Sequence, residues 1–161
     1  MRKRHAVVAT LTLLITLWIV STAYASFSEA LQRSRQKRTM ADMRSLATAL
    51  EARAQDRKSF TMGTPRRMPA GMAHVVPHAQ VERALVPVYA TRVPRLDAWG
   101  TPLGVYVGGY DAEGRAQHYV IRSFGSDRRA DRSRYTHAVN TTFHEDLVFT
   151  DGNFFRYPEG I

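Results

Sequence analysis

Leu96-Asp97-Ala98-Trp99-Gly100-Thr101-Pro102-Leu103 joins a helical, basic first half of the chain to a strand-rich second half. Asp97 can accept hydrogen bonds from free backbone N–H groups and start a turn. Trp99 is one of two tryptophans in the chain and is large enough to anchor a small core. Gly100 permits a positive φ or a close backbone approach. Pro102 has no N–H to give a ladder, so it ends the turn and can enter only an edge or a first strand position. Leu103-Gly104-Val105-Tyr106-Val107 then alternates as a half-buried strand does. Asp97, Trp99 and Gly100 therefore read as structural residues of a helix-to-sheet corner with an aromatic plug, not as a catalytic centre.

Downstream of the corner the pattern is a meander. Leu103 to Val107 and His118 to Ser123 are strands, joined by the turn-rich Gly108 to Gly114. Asp151-Gly152 sits between Leu147-Val148-Phe149-Thr150 and Asn153-Phe154-Phe155-Arg156. It is the strongest hairpin signal in the chain, because a type I′ turn needs positive φ at both of its central residues. The expected head is three or four antiparallel strands packed on one helix, an α+β fold.

Upstream, no Pro or Gly interrupts Ala6 to Met62. Arg2-Lys3-Arg4-His5 is a cationic start. Ala6 to Ala25 is free of charge, about 20 residues and enough to cross a bilayer as a helix. Two readings stand. The segment is retained as an anchor, or it is a signal removed after Ala23-Tyr24-Ala25, whose small-x-small pattern suits signal peptidase. Residues 26–58 read as one helix, with Met40, Met43, Leu46, Ala47, Leu50 and Ala54 in one apolar stripe. The stripe either covers the sheet or forms an intersubunit seam, and from Met43 on it is read as core. A retained anchor makes a continuous helix of roughly 50 residues, about 75 Å. That suits a subunit which buries its N-terminal half against neighbours. The organisation is thus 1–25 anchor or signal, 26–60 amphipathic helix, and 61–161 head.

The net charge of +9 is uneven. Residues 1–25 carry +3, residues 26–60 carry +4, and residues 61–161 only +2. Anionic lipid headgroups or an acidic partner subunit would match the basic helix. There is no basic stripe interleaved with aromatics, so no nucleic-acid partner is expected. There is no cysteine, which excludes disulfides, thiolate metal sites and a thiol nucleophile.

Asp97-Ala98-Trp99-Gly100-Thr101-Pro102 resembles the D-P-W-G-N-P-Y signature of the G-type pseudopilins of bacterial type II secretion, with Ala98 for Pro and Leu103 for Tyr. Thr39 to Asp56, the order Leu85…Tyr89…Pro94 before the corner, and Ser123-Phe124-Gly125-Ser126-Asp127 also resemble that family. The likeness covers roughly residues 39 to 161. It implies a pilin-like fold, a long N-terminal helix on a small antiparallel sheet. It also implies a structural role in a type II secretion or type IV pilus-like assembly, beside other pseudopilin-like subunits or secretion-machinery proteins. The same likeness implies a single-pass location in the bacterial inner membrane through residues 6–25, with the head in the periplasm. The alternative is a soluble periplasmic or secreted binding domain released after Ala25. The extreme N-terminus departs from the family. No Gly precedes Gly63 and no acid precedes Glu29, so the resemblance does not imply processing by prepilin peptidase.

In that family the loop after the S-x-G-x-D strand end binds calcium through Asp side chains and backbone carbonyls. The resemblance therefore implies Ca²⁺ as a cofactor, with Asp127, Asp131 and Asp146 as its acids. On the residues alone, Asp127 and Asp131 instead pair with neighbouring arginines on the surface. His74 and His78 are four apart, but Gly71 and Pro77 argue against the helix that two metal ligands would need there. His137, His144 and Glu145 match no nucleophile or H-E-x-x-H motif. The protein reads as a non-enzyme.

Overall fold

The computed structural model describes residues 2–63 (side chains from 11 on), 73–131 and 137–158. Gly71 lies outside the described residues, as do Arg132 and Arg134; of the two histidines weighed as metal ligands, His78 opens a helix directly after Pro77. Two compact units result, Met1–Ser34 and Arg35–Ile161. One helix, α1 (Arg2–Arg57), runs through both, as the absence of Pro and Gly allows. It stops at Lys58, which takes a positive φ of 54°, the left-handed conformation that commonly closes a helix.

In the first unit the side chains from Leu11 to Val20 are all exposed. This is the one helix among the described residues that is long and apolar enough to cross a membrane. Its hydroxyls turn back onto the helix. Thr16 Oγ1 donates to Thr12 O at 3.0 Å, Thr22 Oγ1 to Ile19 O at 3.0 Å, and Ser26 Oγ to Thr22 O at 3.0 Å. Such bonds satisfy a polar group without any outside partner.

In the second unit, Thr39, Met40, Met43, Leu46, Ala47, Ala49 and Leu50 are buried on one face of α1. The stripe is core from Thr39 on, slightly earlier than its Met43 boundary in the sequence, and Ala54 is half-buried at its end. The remaining elements are β1 (His74–Val75), α2 (His78–Leu85), β2 (Gly104–Tyr110), β3 (Ala116–Ser123), β4 (Ala138–Asn140), β5 (Leu147–Thr150) and β6 (Asn153–Pro158). The α+β class is as expected, but the sheet differs from the expected three or four antiparallel strands. It has six, in the order β1-β2-β3-β5-β6-β4, and β4 runs parallel to β6. The two additional strands are edges of two and three residues, too short to show an alternating pattern. His74 lies in β1 and not on a helix.

Val105, Val107, Ala116, Tyr119, Ile121 and Phe149 share one core with the buried face of α1, with Trp99 and with the α2 residues Val81 and Leu85. Arg53 ties the end of α1 to the next turn by donating to Thr61 O at 2.9 Å. Phe60 N–H then bonds Ala116 O at 2.9 Å, delivering the chain to the start of β3. Asp151 and Gly152 both take positive φ, 45° and 85°, as a type I′ hairpin demands.

Candidate functional site

The corner is built around the Asp97 carboxylate, which is 5% exposed. Its Oδ1 accepts from Trp99 N–H at 3.0 Å and from Thr101 N–H at 2.8 Å. Its Oδ2 accepts from Ser123 Oγ at 2.7 Å. Asp97 N–H bonds back to Thr101 O at 2.8 Å, and Gly100, with φ 83°, closes the turn. From α1, the buried Thr39 Oγ1 accepts from Ala98 N–H at 3.0 Å. One carboxylate and one hydroxyl thus tie α1, the turn and the end of β3 together, while Trp99 fills the space between them at 6% exposure. Asp97, Trp99 and Gly100, the three residues singled out here from sequence, all lie in this corner. Thr39 and Ser123 were not assigned to this corner, because nothing local to either marks a partner 59 or 26 residues away.

The second polar centre lies across the sheet. Residues directly opposite one another on β3, β5 and β6 are Arg122, Val148 and Arg156. Since alternate strand residues share a face, this row lies opposite Ile121 and Phe149 of the core. Asp146 immediately precedes β5 and is fully buried. Its Oδ2 accepts from Arg122 Nε at 3.0 Å. Asp131 Oδ2 accepts from Arg156 Nη1 at 2.6 Å. The two acids also exchange backbone bonds, Asp131 N–H to Asp146 Oδ2 at 3.3 Å and Asp146 N–H to Asp131 Oδ2 at 3.2 Å. Glu145 Oε1 stands 3.9 Å from Arg156, and its Oε2 takes Thr141 N–H at 2.6 Å.

Asp131 and Asp146 are therefore brought together. Asp127 takes another role, since it is exposed and caps its own turn by accepting from Arg129 N–H at 2.9 Å. Among the described residues no three acids or histidines gather as metal ligands. One buried oxygen here, Asn140 Oδ1, has no donor among the described residues. A calcium ion takes six to eight oxygens, and in this cluster two guanidinium groups occupy the carboxylates. The described residues do not fit a divalent cation. Arg122 and Arg156 were missed as partners of the acids. A signal was available, since each is the lone arginine of its strand, Arg122 following Val120-Ile121 and Arg156 following Phe154-Phe155.

Two further features bear on binding. A groove of about 640 Å³ runs along α1 beside residues 89–96 and is lined by Arg38, Arg92 and Arg95 with Asp42. Tyr119, in the core, donates its hydroxyl to Glu51 of α1 and accepts from Gly152 N–H at 3.2 Å. Burial first, and the Glu51 bond second, hold the Tyr119 pKa well above its ordinary 10.0. No protein-family model, curated protein or solved structure matches the chain.

Proposed function

We propose that the protein is a membrane-anchored, non-catalytic subunit of a pseudopilin-like assembly, of the type II secretion or type IV pilus kind. The observation that carries this reading is the division of labour along α1. From Thr39 on, one face is spent on the core of the head. From Leu11 to Val20 every side chain is exposed, and nothing among the described residues covers it. An apolar helix surface of that extent needs lipid, other helices or both. The back-bonded hydroxyls suit such surroundings, where water cannot satisfy them. Other copies or related subunits would pack on this segment, with the head on the periplasmic side of the bacterial inner membrane. The groove lined by Arg38, Arg92 and Arg95 favours a partner with an acidic surface.

The second reading is a soluble exported domain freed after Ala25, favoured by Ala23-Tyr24-Ala25 and by a compact unit that begins at Arg35. Cross-linking through single cysteines placed on residues 11–20 separates the two. Adducts between subunits support the anchored assembly. A mature chain that starts beyond Ala25 contradicts it, because the cysteine is then lost.

A further inference from the structure

We propose that the row Arg122–Val148–Arg156 is a built-in cationic clasp. It holds the long connection between β3 and β5 onto the sheet and leaves no role there for a bound divalent cation. The connection is long, residues 124–146, and it leaves the sheet to form β4 at the far edge before returning. Such an excursion needs fastening, because loop backbone carries polar groups that the sheet does not pair.

The fastening is visible at both ends. Where the connection leaves β3, Arg122 lies over the Phe124 ring with its guanidinium carbon 4.3 Å from the centroid. Ser126 N–H bonds Phe143 O at 2.8 Å, pinning the outgoing strand end to the returning one. Further on, Asp131 and Asp146, the last residue of the connection, grip each other by reciprocal backbone bonds, and among the described residues Arg156 bonds the first carboxylate and Arg122 the second. The Arg122 side chain is 15% exposed and that of Arg156 is 11% exposed. These are held groups, not solvated ones.

The charge arithmetic points the same way. Among the described residues two guanidinium groups offset Asp131 and Asp146, with Glu145 as a third acid whose Oε2 is already used by Thr141 and Thr142 N–H groups. A calcium site needs a surplus of negative oxygens at short range. Here a cation beside Asp131 Oδ2 would have to displace a guanidinium at 2.6 Å. The planar fork of arginine keeps its charge at any ordinary pH and can serve several acceptors in a fixed geometry. It therefore does permanently what an ion does only when one is available. The head should hold its shape in a chelating medium, in contrast to the calcium dependence that the family resemblance implies.

The test is thermal unfolding of the full-length protein in detergent, with millimolar calcium and with excess chelator. The clasp predicts the same midpoint in both, and no heat when calcium chloride is titrated into the chelator-treated protein. A lower midpoint in chelator, or saturable calcium binding, overturns it. The variant Arg122→Gln/Arg156→Gln is expected to melt lower by roughly 5–10 °C and to be cut faster by protease between residues 124 and 146. An unchanged midpoint and an unchanged cleavage rate refute the clasp. Should the double variant not fold, Arg156→Lys supplies the same reading. It keeps the charge but loses the fork, and is expected to melt lower by a few degrees, whereas a wild-type midpoint counts against the clasp.

Discussion

Replacing Asp97 by Ala is the severest single test of the corner. The substitution removes an acceptor from three donors at once, the Trp99 and Thr101 N–H groups and the Ser123 hydroxyl, at 3.0, 2.8 and 2.7 Å. Hydrogen bonds to a charged acceptor contribute about 1.5–3 kcal/mol each, and a buried donor left without a partner costs about 1–3 kcal/mol. The three bonds share one carboxylate, so their effects do not add. A net loss of about 4 kcal/mol is expected for Asp97→Ala. Asp97→Asn keeps Oδ1 for the two backbone donors and presents an amide to Ser123, whose hydroxyl can accept instead. Its expected loss is about 1–2 kcal/mol. Thermal or urea unfolding of the full chain in detergent, followed by circular dichroism and Trp fluorescence, measures both. The alanine variant should melt about 10 °C below wild type. A loss under about 1 kcal/mol for Asp97→Ala would show that the turn holds its shape without this carboxylate, and the argument for the corner would fail.

Tyr119→Phe removes a donor to the Glu51 carboxylate and an acceptor for Gly152 N–H, and should cost about 2 kcal/mol by urea unfolding. The same residue sets an alkaline limit. Its pKa is raised in the folded state by burial and by Glu51, so the unfolded chain releases the proton first. The stabilisation is complete below about pH 10 and declines as pH rises beyond it. Melting curves across that range should show a decline in wild type that is weaker in Tyr119→Phe. Gly125→Ala places a methyl group 2.7 Å from the carbonyl oxygens of His144 and Glu145, at a φ of 67°. Neither oxygen is on a flexible side chain, so a loss of at least about 3 kcal/mol is expected. A variant as stable as wild type would mean that the connection packs differently at this point.

How much of this was legible in the sequence depends on how local each signal is. The corner was readable because Asp97, Trp99, Gly100 and Pro102 act within one turn, where each residue type has its own conformational reason. The Asp151-Gly152 hairpin was readable for the same cause. The apolar stripe from Met40 to Leu50 comes from helical periodicity alone. The edges β1 and β4 were not legible, because two or three residues cannot display a period, and β4 pairs in parallel with a strand whose register is set elsewhere. The acid cluster was half legible. Asp131 and Asp146 were singled out and do meet. The cations on them come from β3 and β6, and not from Arg128 and Arg129 beside Asp127 in the chain. Long-range pairing across a sheet leaves no local trace beyond a lone arginine in a strand. Thr39 illustrates the same limit, as a buried threonine in an amphipathic helix whose partner lies 59 residues on.

Because the chain has no cysteine of its own, single-cysteine cross-linking in native membranes reads subunit contacts without background. With Cys at Leu14, Leu17 or Trp18, mild oxidation should give adducts of two or more subunits, their yield rising and falling every three to four positions as helical packing requires. Cys at Ala112, in the exposed turn after β2, should give none. Monomer at every helix position, or adducts equally frequent at Ala112, would contradict a subunit that assembles through the exposed apolar segment of α1.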